Sequence, residues 1–306
     1  MRTILNKPFV MLYALLLLIA CEEGNSTLQL DAINVTAHVI EPTKAGYDGG
    51  VIPDSFIINV YQGTNPTFNY SLIQMNRDES DNGYVSSESL FWATSDHSEV
   101  IVKAMTIPYG LTSIDISNPM EIQVCLDQSS EDNVLSSDLL GATSDNGVTI
   151  EENDIIIGFK HLLTKLEVSY DFDDEFTQNE VSILSVELKN ICYSGGYNFS
   201  TMSCAATIDL QYGDVVMFHN DNEKNAEAIF FPCAPSESPT LVLNAMIDGK
   251  EYTLSCPVTA NSDEGFVAGK RYKMDVIIKG TTISGTSATI ASGWDTNTEE
   301  QSFVTE

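Results

Sequence analysis

The chain has 306 residues, with 44 acidic side chains against 14 basic ones and a formal charge of −30. A field this negative repels the phosphates of nucleic acid and the headgroups of anionic lipid, which excludes both as partners. The acidic residues are dispersed among Ser, Thr and Asn rather than massed in one tail, the pattern of a solvated surface rather than of an acidic binding arm.

At the N-terminus, Arg2 and Lys7 precede an apolar run, Phe9 to Ala20, too short to cross a bilayer but suited to a signal segment. The run ends in Leu18-Ile19-Ala20-Cys21, which resembles the lipobox of bacterial lipoprotein precursors: Leu, a small or aliphatic residue, Ala or Gly, then Cys. That resemblance implies loss of residues 1–20, a diacylglyceryl thioether on Cys21 and an acylated amine. Two or more acyl chains anchor stably, at roughly 0.8 kcal/mol per buried methylene. Loss of Arg2 and Lys7 takes the charge to −32. What remains is long enough for one large or two ordinary domains.

Alternation governs the chain from Leu28 to Ile290. In Ile33-Asn34-Val35-Thr36-Ala37-His38-Val39 every second residue is apolar, which predicts a half-buried strand with His38 outward. The same reading applies to Phe56-Ile58-Val60, Val100-Val102-Ala104, Leu241-Leu243-Ala245-Ile247 and Tyr272-Met274-Val276-Ile278. Met120, Ile122, Val124 and Leu126 alternate with Glu121, Gln123, Cys125 and Asp127, which puts Cys125 on a wet face. Asn82-Gly83, Asn146-Gly147, Gly195-Gly196 and Asp248-Gly249 read as turns, the last as a tight hairpin. The polar run Asp127 to Asn146 joins two domains, 21–150 and 151–306. In Phe159 to Leu166 the apolar spacing is helical, while Leu166 to Tyr170 alternates. A bulged strand and a short helical turn leading into a strand both fit. Many short strands with frequent turns predict an all-β chain of sandwiches or barrels, with little helix.

Besides Cys21 there are Cys125, Cys192, Cys204, Cys233 and Cys256, none in a Cys-x-x-Cys pair. Local distance favours Cys192 with Cys204 and Cys233 with Cys256, and free core thiols fit as well. No metal-ligand array, phosphate loop, dinucleotide fingerprint or nucleophile elbow is present, so neither an enzyme nor a cofactor is expected. Asp78 to Gly83 resembles the start of a calcium loop, but Ser89 stands where the bidentate Glu belongs. Asp171-Phe172-Asp173-Asp174-Glu175 has the carboxylates to hold a cation, but a solvated loop after a strand is the commoner reading. Trp92 and Trp294 are candidate ligand contacts, since an indole stacks on a sugar ring; each also closes an apolar stretch and suits a core.

Phe159, His161, Thr164, Lys165, Leu166 and Val168 form Phe-x-His-x-x-Thr-Lys-Leu-x-Val, which resembles the signature of the fimbrillin family of type V pilus subunits and related surface lipoproteins. Other segments fall in the family's order: Thr43-Lys44-Ala45, Phe91-Trp92, Val100 to Pro108-Tyr109, Asp138-Leu139-Leu140-Gly141-Ala142, Gly265 to Tyr272, and Ile290 to Trp294. The resemblance implies two tandem transthyretin-like β-sandwich domains. It also implies a lipoprotein at the outer membrane or cell surface, a structural or adhesive role in fimbriae, and pilus subunits as partners.

Subunits of this family are cut after a basic residue, which frees the first strand and opens a groove for an extended segment of the next subunit. A donor strand then satisfies the unpaired edge and its apolar pockets. Here Lys44 is the only basic residue between the first strand and Arg77. After Trp294 only Asp295 to Glu306 follow, polar but for Phe303-Val304, so an appended donor strand is hard to find. The Thr281 to Ser292 run donates only if it lies outside the second domain's own sheet, and a subunit without a donor sits at a filament end, tip or anchor, or outside filaments. A surface glycan-binding lipoprotein of a nutrient-uptake system, resting on Trp92 and Trp294, is the alternative.

Overall fold

A computed structural model of the chain describes residues 31–40, 52–63, 66–78, 83–115, 118–173, 181–205, 207–222, 224–232, 234, 239–261, 263–279 and 282–291. In chain order it begins with β1 (Asn34–Val39), β2 (Ser55–Tyr61), β3 (Tyr70–Arg77), β4 (Tyr84–Ser86), β5 (Ile101–Met105) and β6 (Met120–Gln123). A helix, α1 (Glu131–Ser137), precedes β7 (Leu140–Thr143), β8 (Val148–Glu151), β9 (Asp154–His161), β10 (Thr164–Phe172) and the long β11 (Val181–Asn198). Then come β12 (Ser203–Ala205), β13 (Gln211–Val216), β14 (Phe218–Asn220), β15 (Asn225–Phe230) and β16 (Thr240–Ile247). The last are β17 (Lys250–Pro257), β18 (Arg271–Lys279), β19 (Thr282–Gly285) and β20 (Thr289–Ile290). The described chain is nearly all β.

Strands β1, β4, β3, β2, β5, β7 and β9 lie side by side in that order, and β1 also pairs with β9, so the sheet closes into a ring. β8 adds to β9 as a hairpin. Alternation sends Phe56, Ile58, Val60, Val102, Ala104, Ile155, Ile157 and Phe159 inward to one core, with Leu90 and Trp92. On the opposite face of β2 and β5, the register partners Ile57 and Met105 belong to a second core.

Two six-stranded sheets bury that second core between them. One runs β14-β15-β10-β18-β19, with β20 on β18; the other runs β12-β11-β16-β17, with β13 and β6 on β11. Leu166, Val168, Met274, Val276 and Ile278 from the first sheet meet Val186, Leu188, Leu241, Leu243 and Ala245 from the second. The β16–β17 hairpin turns at Asp248-Gly249, as expected, with φ of 51° and 74°, the left-handed pair that a two-residue hairpin requires. His38 is exposed.

The chain departs from the sequence reading between Ile114 and Leu139. β6 pairs with β11, and Ile114, Ile122, Val124, Val134 and Leu139 pack into the second core, although β7 to β9 return to the ring. Within the polar run, Ser130 caps α1 by accepting from the Asn133 N–H, with Glu131 and Asp132 in the first turn. Cys125 is buried rather than wet. β6 stops at Gln123, the Cys125 N–H donates to Ser137 Oγ at 3.0 Å, and the alternation inverts so that Leu126 turns outward.

Gln128, fully buried, then acts as a one-residue strand. Its amide nitrogen donates to the carbonyls of Cys125 (3.0 Å) and Ile229 (2.7 Å), and its amide oxygen accepts from the Ile229 N–H (2.9 Å).

Gly195-Gly196 lies inside β11, not at a turn. A Cβ on Gly195 would stand 2.6 Å from Phe231 Cε1, and one on Gly196 2.5 Å from the Ala205 carbonyl oxygen, so close approach of neighbours requires both glycines. Phe159 to Tyr170 is neither a bulged strand nor a helical turn but two strands, β9 and β10, separated by Leu162 and Leu163. Cys125, Cys192, Cys204 and Cys256 are free thiols, so Cys192 and Cys204 are not bridged. Cys233 lies outside the described residues.

Gln128→Ala strands the buried backbone groups of Ile229, and we expect it to destabilise the chain by about 3 kcal/mol. Urea unfolding of the two proteins at one pH measures this directly.

Candidate functional site

β1 carries its buried residues Val35 and Val39 on one face and sits unequally between two neighbours. Six consecutive residues pair in parallel with β9, from Asn34↔Asp154 to Val39↔Phe159, whereas β4 meets it only at Val35↔Tyr84. Backbone bonds pin its ends: Asn34 N–H to the Asn153 carbonyl (3.1 Å), Ile40 N–H to the Phe159 carbonyl (2.8 Å) and Ile33 N–H to the Leu90 carbonyl (3.0 Å). Gly158 makes room for Ile40, whose Cδ1 would stand 2.7 Å from a Cβ placed there.

Beneath β1, the Phe56 ring is edge-on to Tyr84 (4.7 Å) and Phe159 (5.1 Å). With Ile155 and Ile157 these rings form the apolar bed on which the strand rests. Each buried aliphatic side chain of β1 contributes about 1.5 to 3 kcal/mol. Without β1, one edge of β9 loses its partner and this bed faces water. The Tyr84 hydroxyl donates to the Pro53 carbonyl at 2.5 Å, and burial pushes its pKa up to about 12.

A second constellation marks the passage from the ring to the facing sheets. β9 ends at His161 and β10 begins at Thr164, so the chain crosses in two residues. His161 Nδ1 lies 2.9 Å from the Asp138 carboxylate, both side chains fully buried. The Thr164 hydroxyl donates to the Val267 carbonyl (2.9 Å), and the Gly269 N–H to the Leu163 carbonyl (2.7 Å). The Tyr272 hydroxyl donates to the Gly265 carbonyl (2.9 Å) and accepts from the Val267 N–H (3.0 Å). Lys165 is fully buried, with Nζ 3.1 Å from Glu227 and 3.6 Å from Glu167; Arg271 reaches Glu167 at 3.2 Å. Segments 138–142, 159–168 and 265–272, read separately in the sequence, thus meet at one seam. The contacts between 163–167 and 267–271 span about a hundred residues, which no local pattern reveals.

Of the residues singled out from sequence, Trp92 is buried at 3% exposure, its indole N–H donating to the Asn153 carbonyl at 3.2 Å and its ring stacked on His97 at 3.9 Å. Cys21, Lys44 and Trp294 lie outside the described residues, as does most of the loop between Asp78 and Gly83. Asp171 pairs with Lys224 at 2.7 Å, and hydrogen bonds from Lys224 and from the Phe172 N–H hold its carboxyl below the usual range. Among the described residues no three His, Cys, Asp or Glu side chains converge as a metal site would require.

The fimbrillin-like family model matches residues 43–294. The chain belongs to the fimbrillin-like family. This fimbrillin-like protein also resembles two solved structures described as candidate cell adhesion proteins. The one from Bacteroides uniformis is 18% identical, with a TM-score of 0.62, covering 89% of this chain and 100% of its own. The one from Bacteroides ovatus is 17% identical, with a TM-score of 0.62, covering 85% and 97%. At such identities the likeness is one of fold. No curated protein matches the sequence.

Because the folded phenol of Tyr84 titrates above an unfolded one, its contribution is complete below about pH 10 and is lost as pH rises toward 12. Stability followed by denaturant unfolding should therefore fall more steeply over that interval in the native protein than in Tyr84→Phe.

Proposed function

We propose that this fimbrillin-like chain is a surface lipoprotein with a structural or adhesive role in fimbriae, joined to other subunits by strand addition, with β1 as the strand that leaves. The observation that carries this reading is the closure of the ring by one strand held mainly along one edge. β1 also lies outside the family match, which begins at residue 43. The acylation residue Cys21 precedes β1 and Lys44 follows it, so a cut after Lys44 removes the strand together with a lipid that holds the precursor at the outer membrane.

Pulling β1 away leaves N–H and C=O groups of β9 unpaired above an apolar bed, the acceptor that an extended donor segment fills. Such an assembly needs neither a cofactor nor catalysis by the chain. Residues 282–290 are not a spare donor, since β19 and β20 pair with β18 in the chain's own sheet. An end position, tip or anchor, is part of this proposal.

We assign the ring to a first transthyretin-like domain within 21–150, and the facing sheets to a second within 151–306. On this assignment β9 completes the first domain from beyond residue 150, and residues 114–139 are lent to the second core. Solved structures described as candidate cell adhesion proteins share the fold, which supports an adhesive role. The alternative of glycan binding through Trp92 and Trp294 has less behind it, because Trp92 packs in the core.

Limited trypsin digestion should yield a stable product beginning at Ala45. That product, and not the intact chain, should bind a labelled peptide spanning residues 31–42, and Val35→Asp in the peptide should weaken binding at least about tenfold. Equal binding by intact and cleaved protein, or by neither, would contradict the proposal.

A further inference from the structure

The seam between the ring and the facing sheets opens into a cleft of about 530 Å³ that strand addition does not use. Its walls come from β7, β9, the end of β11, β12 and the turn before β18. The volume lies in the range of small-ligand sites. None of the lining residues is Asp or Glu, in a chain with 44 of them. The lysine there, Lys160, makes no side-chain ion pair or hydrogen bond among the described residues.

Tyr197 lines the same cleft at 1% exposure, and its hydroxyl has no hydrogen-bond partner among the described residues. The hydroxyl itself is shielded from solvent, so a ligand reaches it only where the cleft wall yields; a buried hydroxyl left unpaired is costly, and such a contact would relieve that cost. Burial also raises its pKa, so it remains a donor at neutral pH. Thr143, Asn146, Thr201 and Ser203 add hydroxyl and amide groups beside the apolar surface of Met202.

We propose that this cleft binds a carboxylated sugar, a hexuronic acid unit, with Lys160 on the carboxylate and the hydroxyl and amide side chains on the ring hydroxyls. The volume exceeds what a bare anion fills, and mixed donors and acceptors beside apolar surface match a sugar ring with its C–H face. An acidic partner protein would meet the repulsion of the whole −30 field, whereas a ligand with one charge is affected far less. No residue of β1 lines the cleft, and the test uses the intact protein, so its failure and that of strand addition are separately observable.

Calorimetric titration of the intact protein with galacturonate and glucuronate, against galactose, glucose and acetate, tests the assignment. Uronate should bind at least about tenfold more tightly than the neutral sugars, and Lys160→Met should erase that difference without weakening the neutral ones. Tyr197→Phe should weaken sugar binding severalfold while raising the Tm of the unliganded protein by about 2 to 4 °C. Absence of uronate binding at concentrations on the order of 10 mM, acetate binding as tightly as uronate, or Lys160→Met leaving uronate affinity unchanged would overturn the proposal. A lowered Tm for unliganded Tyr197→Phe would remove that hydroxyl from the site, leaving Lys160→Met to decide.

Discussion

Backbone N–H and C=O groups at the edge of a sheet must be paired or covered, and in the N-terminal ring that demand falls on β1. Six parallel register pairs to β9 close the sheet, while β4 contributes one. The interior of the ring depends on this closure, since Phe56, Tyr84 and Phe159 stay dry beneath Val35 and Val39. The strand is paired along its whole length on the β9 edge and at few points on the other, at Tyr84 and, just before it, at Leu90 and Phe91. On the proposed reading, the same uneven attachment is what would let an equivalent strand take its place.

The rest of the molecule is held together by contacts apart from β1. The ring leans on the second core through Ile57 and Met105, and the chain passes to β10 in two residues braced by His161–Asp138 and by Lys165 with its glutamates. Charges taken out of water must be paired with good geometry, and losing one partner of a buried pair costs about 3 to 5 kcal/mol. The geometry of the facing sheets therefore rests on groups far from β1. Segment 114–139, crossing over to pair with β11 and anchored by Gln128, ties the two cores together a second time.

Much of the strand pattern was legible because a half-buried strand alternates: β1, β2, β5, β16 and β18 all stand where alternation puts them. Legibility failed where tertiary contacts override period. Cys125 turned inward because its N–H is drawn to Ser137, and Gly195-Gly196 stayed in a strand because Phe231 and Ala205 come too close for a side chain. The crossing at Leu162-Leu163 mimicked helical spacing because strands on either side of it face different cores. At the candidate site, the first strand and its flanking Cys21 and Lys44 were readable in order. The partner of that strand was not: β9 is more than a hundred residues away, and nothing local records a parallel pairing.

Hydrogen–deuterium exchange on the protein before and after cleavage at Lys44 addresses the central claim most directly. If β1 closes the ring and is detachable, amides of β9 from Ile155 to Phe159 should lose protection on release of β1, while β10, β11 and β18 keep theirs. Loss of protection throughout both cores would make β1 an integral part of the fold, and unchanged protection in β9 would mean that β1 does not close the ring.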